Sequence, residues 1–235
     1  MKTLSTVLSA KPSTNWLDRV NSSPDQDRLA VLELQEELMK LRTATIFALN
    51  EMLDLKDLNT GLHSSRLAEW AVRVGERMGM PENALVDLEA GAILHDIGKT
   101  GVPDSILNKP GQLDPDERKQ IEKHSEYGWA VLRAIPSFER VALLVLHHHE
   151  RIDGKGYPAG LEADEIPLGS KIICVIDSFD AMVSDRCYRK GLPVEEATRR
   201  LRASSGTQFD NDVTKLFVEI AAREVLDVNR VVAIA

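Results

Sequence analysis

Only two cysteines, Cys174 and Cys187, occur in 235 residues, and their spacing matches no thiolate metal motif. A Cys-built structural zinc module and a disulfide-stapled scaffold are therefore excluded. Cys174 sits inside the apolar run Ile172-Ile173-Cys174-Val175-Ile176, where a reduced, buried thiol is expected. The sequence also lacks any apolar run near the ~18 residues of a membrane span, and its first residues hold no signal-peptide core. The expectation is a soluble, cytoplasmic chain with no membrane partner. Positive charge is in short supply too: the net charge is −8, whereas binding a nucleic-acid polymer needs a basic face. Aromatics make up 5%, and the plentiful Leu, Ala, Glu, Lys and Arg favour helix.

The pattern along the chain predicts an all-α fold. Residues 1–27 are rich in Ser, Thr, Asn, Asp and Pro and read as a tail, partly ordered at most. From Arg28 a helical pattern runs to about Leu58 without Pro or Gly, with Leu29, Leu32, Leu34, Leu38 and Leu41 set among charges. Such a helix could lie along the core or pair with a second copy as a short coiled coil, giving a homodimer. The expected division is a tail at 1–27, a leading helix at 28–56 and one domain at 57–235.

Further helices are expected at about 63–79, 82–97, from Asp114 onward, and 136–150. Asp114-Pro115-Asp116-Glu117 is a helix start: a capping side chain, Pro at the first position, then carboxylates. Residues 151–169 form a long Gly/Pro-rich loop, and loops of that length in a compact domain are usually functional or disordered. The segment 170–185 begins like a strand, but Asp177, Asp180, Ala181 and Ser184 recur at helical spacing, so a helix is expected.

All six histidines fall between positions 63 and 149, and four of them lie on inward stripes. His63 leads Leu67, Trp70, Val74 and Met78. His95 follows Leu85, Leu88 and Ala92. His124 shares a stripe with Ile121, Gly128, Val131 and Ile135, and His148 continues Phe138, Val141 and Val145. Asp177 follows five apolar residues. A lone inward histidine is ordinarily a hydrogen-bonded core residue. Several together with buried acids need a common cation, because each unpaired buried polar group costs roughly 1–3 kcal/mol. Neighbours such as His95-Asp96 and His148-His149 project about 100° apart on a helix, which suits two adjacent ions better than one. A nitrogen and oxygen donor set without thiolate favours iron, manganese or a similar divalent ion.

The motifs in this order resemble the HD-GYP family of cyclic dinucleotide phosphodiesterases. They are His63-Ser64, His95-Asp96 with Lys99, Lys109-Pro110-Gly111, His124, His148-His149-Glu150, Gly156-Tyr157-Pro158, Asp177 with Asp180, and Arg186 with Arg189. The resemblance spans about residues 50–220. It implies an HD-type helical bundle with an N-terminal helical extension and two divalent metal ions. His63, His95, Asp96 and Asp177 would serve one or both ions, with Asp96 bridging; His124, His148 and His149 would complete the second. Lys99 would contact the scissile phosphate, and Asp180, Arg186 and Arg189 would stand near the substrate's phosphate and base. Gly156, Tyr157 and Pro158 would border the pocket and offer a contact for signalling partners. The implied substrate is cyclic di-GMP, cut to linear pGpG and in some members onward to GMP, with cyclic GMP-AMP as a variant. Some members bind a third metal through a Glu where this chain has Asn59, so a third ion is not expected.

Two cations side by side can hold a hydroxide at neutral pH and neutralise an attacked phosphate, which is the chemistry expected here. Two other readings share these residues. One is a nucleotide-binding signalling module without turnover; the other is a broader HD-superfamily phosphohydrolase acting on mononucleotides. The Gly-Tyr-Pro loop and the Arg186/Arg189 pair count against the second of these.

Overall fold

The computed structural model describes residues 24–56, 61–185 and 190–234. Asn59, Arg186, Cys187 and Arg189, and most of the expected tail, lie outside the described residues. The chain divides into two units, Met1–Thr45 and Ile46–Ala235. No strand occurs among the described residues, and no described helix is long and apolar enough to cross a membrane.

The first helix, α1 (Pro24–Asp54), begins with Pro at its first position and Asp25 and Asp27 in its first turn. Pro lacks only an N–H that would be unpaired there, and the acids complement the helix dipole. Within the first unit α1 is the described structure. In the second unit its last turns bring Ile46, Leu49 and Leu53 against the core, with Leu53 fully buried.

The rest of the second unit is built from α2 (Gly61–Arg77), α3 (Glu82–Leu94), a 3-10 turn (Ile97–Gly101), α4 (Asp104–Leu107), α5 (Pro115–Glu122), α6 (His124–Leu132), α7 (Glu139–Leu146), α8 (Leu168–Val183), α9 (Val194–Ala203) and α10 (Asn211–Ile234). Two apolar clusters hold it together. The larger joins α2, α8, α9 and α10, with Trp70, Phe179 and Phe217 meeting edge to face at centroid separations of 5.0–5.7 Å. The smaller joins α3, α6 and α7 through Leu94, Ile97, Leu132, Phe138, Val141 and Val145. Helix α3 serves both: Leu88 and Ala92 enter the first cluster, Ala90 and Leu94 the second. That double duty explains why its sequence is apolar nearly all round. The helix ends where the clusters meet, and there it delivers His95 and Asp96.

The start of α5 is as its sequence predicts. Asp114 accepts from the backbone N–H groups of Asp116 and Glu117 at 2.9 Å, while Glu117 accepts from Asp114 N–H at 2.9 Å. Such a capping box is worth about 1 kcal/mol. The segment 170–185 is helical, within α8.

Other expectations need correction. The single stripe drawn through residues 121–135 is broken at Lys123, between α5 and α6. Side chains take two carbonyls at that point: His124 Nδ1 lies 2.7 Å from Ile121 O, and Ser125 Oγ donates to Glu122 O at 3.1 Å. Beyond the break His124 and Gly128 are buried and Ile135 packs on the core as expected, but Val131, expected inside, is 42% exposed and Leu132 is buried instead. The helix expected at 136–150 is shorter, Glu139–Leu146, so His148 and His149 lie in the turn beyond it. Likewise α3 stops at Leu94 rather than 97.

Candidate metal centre

Three histidines are held by one device. Nδ1 of His95, His124 and His148 lies 2.9, 2.7 and 2.6 Å from the carbonyl three residues earlier, on Ala92, Ile121 and Val145. A carbonyl can only accept, so each Nδ1 carries the proton and donates it. Nε2 is left as a lone-pair donor, aimed inward. His63 reaches the same state by another route, its Nδ1 bonding to the carboxylate of Asp180. All four rings are tied from behind and present Nε2.

The inward atoms fall into two groups. Ligand atoms of His63, His95 and Asp96 lie within 4.8 Å of one another, as do those of His124, His148 and His149. Asp177 Oδ1 joins the first group, 3.8 Å from His63 Nε2 and 3.7 Å from His95 Nε2. Asp96 reaches both groups: Oδ2 is 3.3 Å from His95 Nε2, and Oδ1 is 3.5 Å from His124 Nε2. All seven metal-ligand candidates are thus brought together.

The arrangement needs cations. Nε2 of His124 and Nε2 of His148 face each other at 3.3 Å, although each Nδ1 already holds the ring's proton. Two lone pairs at that distance repel. Burial depresses the pKa of both rings, of His148 well below the ordinary histidine value, so neither takes up a second proton near neutrality. Burial and the neighbouring His124 ring likewise hold His149 well down. Nε2 of His95 is buried with no hydrogen-bond partner. Burial lowers the His95 pKa, but Asp96 and Asp177 outweigh it and push it up to about 9. The field that holds a proton there would also attract a metal cation. For Asp96, burial raises the pKa, yet Lys99 and His95 more than offset it and keep the carboxylate ionised. The residues therefore fit divalent ions bound through nitrogen and oxygen.

Around this cluster the remaining candidates take distinct places. Lys99 Nζ is 2.7 Å from Asp96 Oδ2. Tyr157 lies against His149, ring centroids 4.8 Å apart and tilted 33°. Gly156 owes its identity to packing: a Cβ there would sit 2.4 Å from Arg151 N and 2.6 Å from His149 O. Pro158 is exposed.

Asp180, expected near substrate, is 1% exposed and engaged within the protein. One oxygen bonds His63 Nδ1 and accepts from Ser184 Oγ at 3.1 Å; the other accepts from both Nε and a terminal nitrogen of Arg66, Nε at 2.8 Å. Its place is behind His63, a candidate ligand. Arg66 was missed in the sequence, although its position three residues after His63 put it on the same helical face. Glu150 holds the loop, accepting from Ala159 N–H at 2.8 Å and Leu161 N–H at 3.1 Å.

Residues 47–213, carrying every one of these metal-ligand candidates, match the family model described as HD domain. The chain belongs to the HD-domain family. With Gly156-Tyr157-Pro158 following His148-His149, it falls among the HD-GYP members. This HD chain is 41% identical over 184 residues to a cyclic di-GMP phosphodiesterase of Thermotoga maritima, covering 77% of this chain and 50% of that one. It is 32% identical over 203 residues to 3'3'-cGAMP-specific phosphodiesterase 3 of Vibrio cholerae, covering 86% and 43%. The HD chain thus spans half or less of the length of these relatives. Among solved structures, the HD domain of the L. monocytogenes phosphodiesterase PgpH shares the fold, with TM-score 0.56 and 19% identity over 77% of this chain and 98% of that one.

Proposed function

We propose that this HD chain hydrolyses a phosphodiester bond of a cyclic dinucleotide, cyclic di-GMP first, giving the linear dinucleotide pGpG. The observation that carries the reading is the pair of Nε2 atoms 3.3 Å apart, with Asp96 reaching from their group to the other. A structural core would not leave those lone pairs opposed. Two divalent ions, when bound, would supply an activated water and neutralise charge on the attacked phosphate. His63, His95 and Asp177 would hold one ion, His124, His148 and His149 the other, and Asp96 would serve both. The donors favour iron or manganese over a thiolate-bound metal.

The protein's own groups supply the rest. Lys99, poised on Asp96, would turn its ammonium to a phosphate oxygen once substrate enters. Tyr157 keeps the loop packed over His149. Asp180 and Arg66 hold His63 in orientation. Arg186 and Arg189 would meet the substrate's phosphate and base. The exposed tip at Pro158, Ala159 and Gly160 offers a contact for a signalling partner. The buried free thiol of Cys174 accords with the reducing cytoplasm.

The relation to a 3'3'-cGAMP-specific relative supports cyclic GMP-AMP as a second substrate. Protein loaded with iron, manganese, nickel or magnesium would be incubated with each cyclic dinucleotide and the products separated by chromatography. Conversion of cyclic di-GMP to pGpG is expected. Intact substrate with every metal would overturn the reading and leave a binding module.

A further inference from the structure

The first helix carries an apolar stripe that the fold does not use. Along α1, Val31, Leu34, Leu38, Leu41, Thr45, Ala48 and Met52 recur in steps of three and four, which is the a/d seam of a heptad. Val31, Leu34, Leu38, Leu41 and Met52 are between 56% and 65% exposed. The core of the second unit takes other residues of the helix, Ile46, Leu49 and Leu53. Away from the stripe the helix carries charge, with Glu36 paired to Lys40 at 2.6 Å, beside the exposed Leu29, Leu32, Met39 and Phe47. An exposed row of large apolar side chains over three heptads is a liability unless something covers it.

We infer that the stripe is the seam of a parallel, in-register, two-stranded coiled coil between two copies of this chain. This rests on the helix alone and stands apart from the catalytic reading. The residue types favour two strands: β-branched Val31 and Thr45 stand at a positions beside Leu38 and Met52, and Leu34 and Leu41 stand at d positions with Ala48. The flanking charges select the orientation. In this register Glu37 is a g residue and Arg42 the next e residue, so a parallel pair sets Glu37 against the partner copy's Arg42 on both sides. An antiparallel pair would set g against g, and the g positions are Ala30, Glu37, Ala44 and Glu51, with no cation among them. A second copy is thus the partner whose charges complement the seam.

The full-length chain would be weighed by sedimentation equilibrium at micromolar concentration. The expected mass is twice 26.1 kDa. Leu38→Glu with Leu41→Glu should weaken association by about a hundredfold or more through like charges in the seam, with helix content and bound metal unchanged. Glu37→Arg alone should weaken the dimer about tenfold, and adding Arg42→Glu should restore it. Orientation is read by Val31→Cys in a Cys187→Ser background. Parallel strands bring the two copies of position 31 within disulfide reach, whereas an antiparallel pair centred near Leu41 separates them by about 30 Å. A monomeric wild type, a dimer indifferent to the Leu38/Leu41 change, or failure of Val31→Cys to cross-link would each overturn the inference.

Discussion

Gly98→Ala is the sharpest test of how the two ligand groups are held together. A Cβ on Gly98 would stand 1.8 Å from His124 O and 2.4 Å from Gly128 N, both backbone atoms that cannot swing aside. Side-chain carbons essentially never approach closer than 3.0 Å, so the 3-10 turn and α6 must part by about 1.2 Å, the difference between 3.0 and 1.8. That movement carries Asp96 away from His124, whose Oδ1–Nε2 separation is 3.5 Å. Misplacing a reacting constellation by about 1 Å costs on the order of a hundredfold in rate. Overpacking a tight contact costs roughly 1–3 kcal/mol. In a domain of this size each kcal/mol lowers Tm by about 2–4 °C, so a fall of roughly 2–12 °C is expected. Thermal unfolding, metal content and turnover would be followed on one preparation. Wild-type values for all three would refute the close backbone contact and the role it gives Asp96.

Asp96→Ala should remove bound metal and hydrolysis together, while Lys99→Ala should keep its metal and lose about a hundredfold or more in turnover; elemental analysis beside product assays separates them. Asp180→Asn, which weakens the hold on His63 Nδ1, should cut metal affinity at the His63/His95 group by about 10–100-fold and spare the His124/His148/His149 group, as read by metal titration. Equal affinity at both groups would refute that positioning role. Glu150→Gln leaves one of two loop N–H groups facing a donor, at roughly 1–3 kcal/mol, and hydrogen exchange at the Ala159 and Leu161 amides should quicken. The side-chain bonds from Arg151 hold the Asp153 carboxyl down at about 2, against an ordinary value near 3.9, so its contribution to stability is present above about pH 4 and lost as pH falls through 2. Asp153→Asn should flatten acid unfolding in that window.

Much of the candidate site was legible before any coordinates. The stripes carrying His63, His95 and His148 face inward as their spacing predicts, since Leu67, Val74, Leu88, Ala92, Val141 and Val145 are fully buried. The capping box at Asp114 and the helical reading of 170–185 also hold. The stripe through His124 holds at His124, Gly128 and Ile135 but fails at Val131, because periodicity assumes an unbroken helix and cannot register side chains that take carbonyls at the break. Asp180 was aimed at substrate because sequence offers no way to see that Arg66, more than a hundred residues earlier, would meet it.

By itself the sequence determined the kind of donors available, imidazole and carboxylate without thiolate, and the inward face of most elements that carry them, because helical period depends on local order alone. Tertiary structure decided which donors meet. The opposed Nε2 atoms of His124 and His148, the reach of Asp96 to both groups and the Arg66–Asp180–His63 chain all depend on how closely separate helices pack. For Asp96 and His124 that closeness is set where Gly98 meets the backbone of His124, a distance no linear pattern encodes.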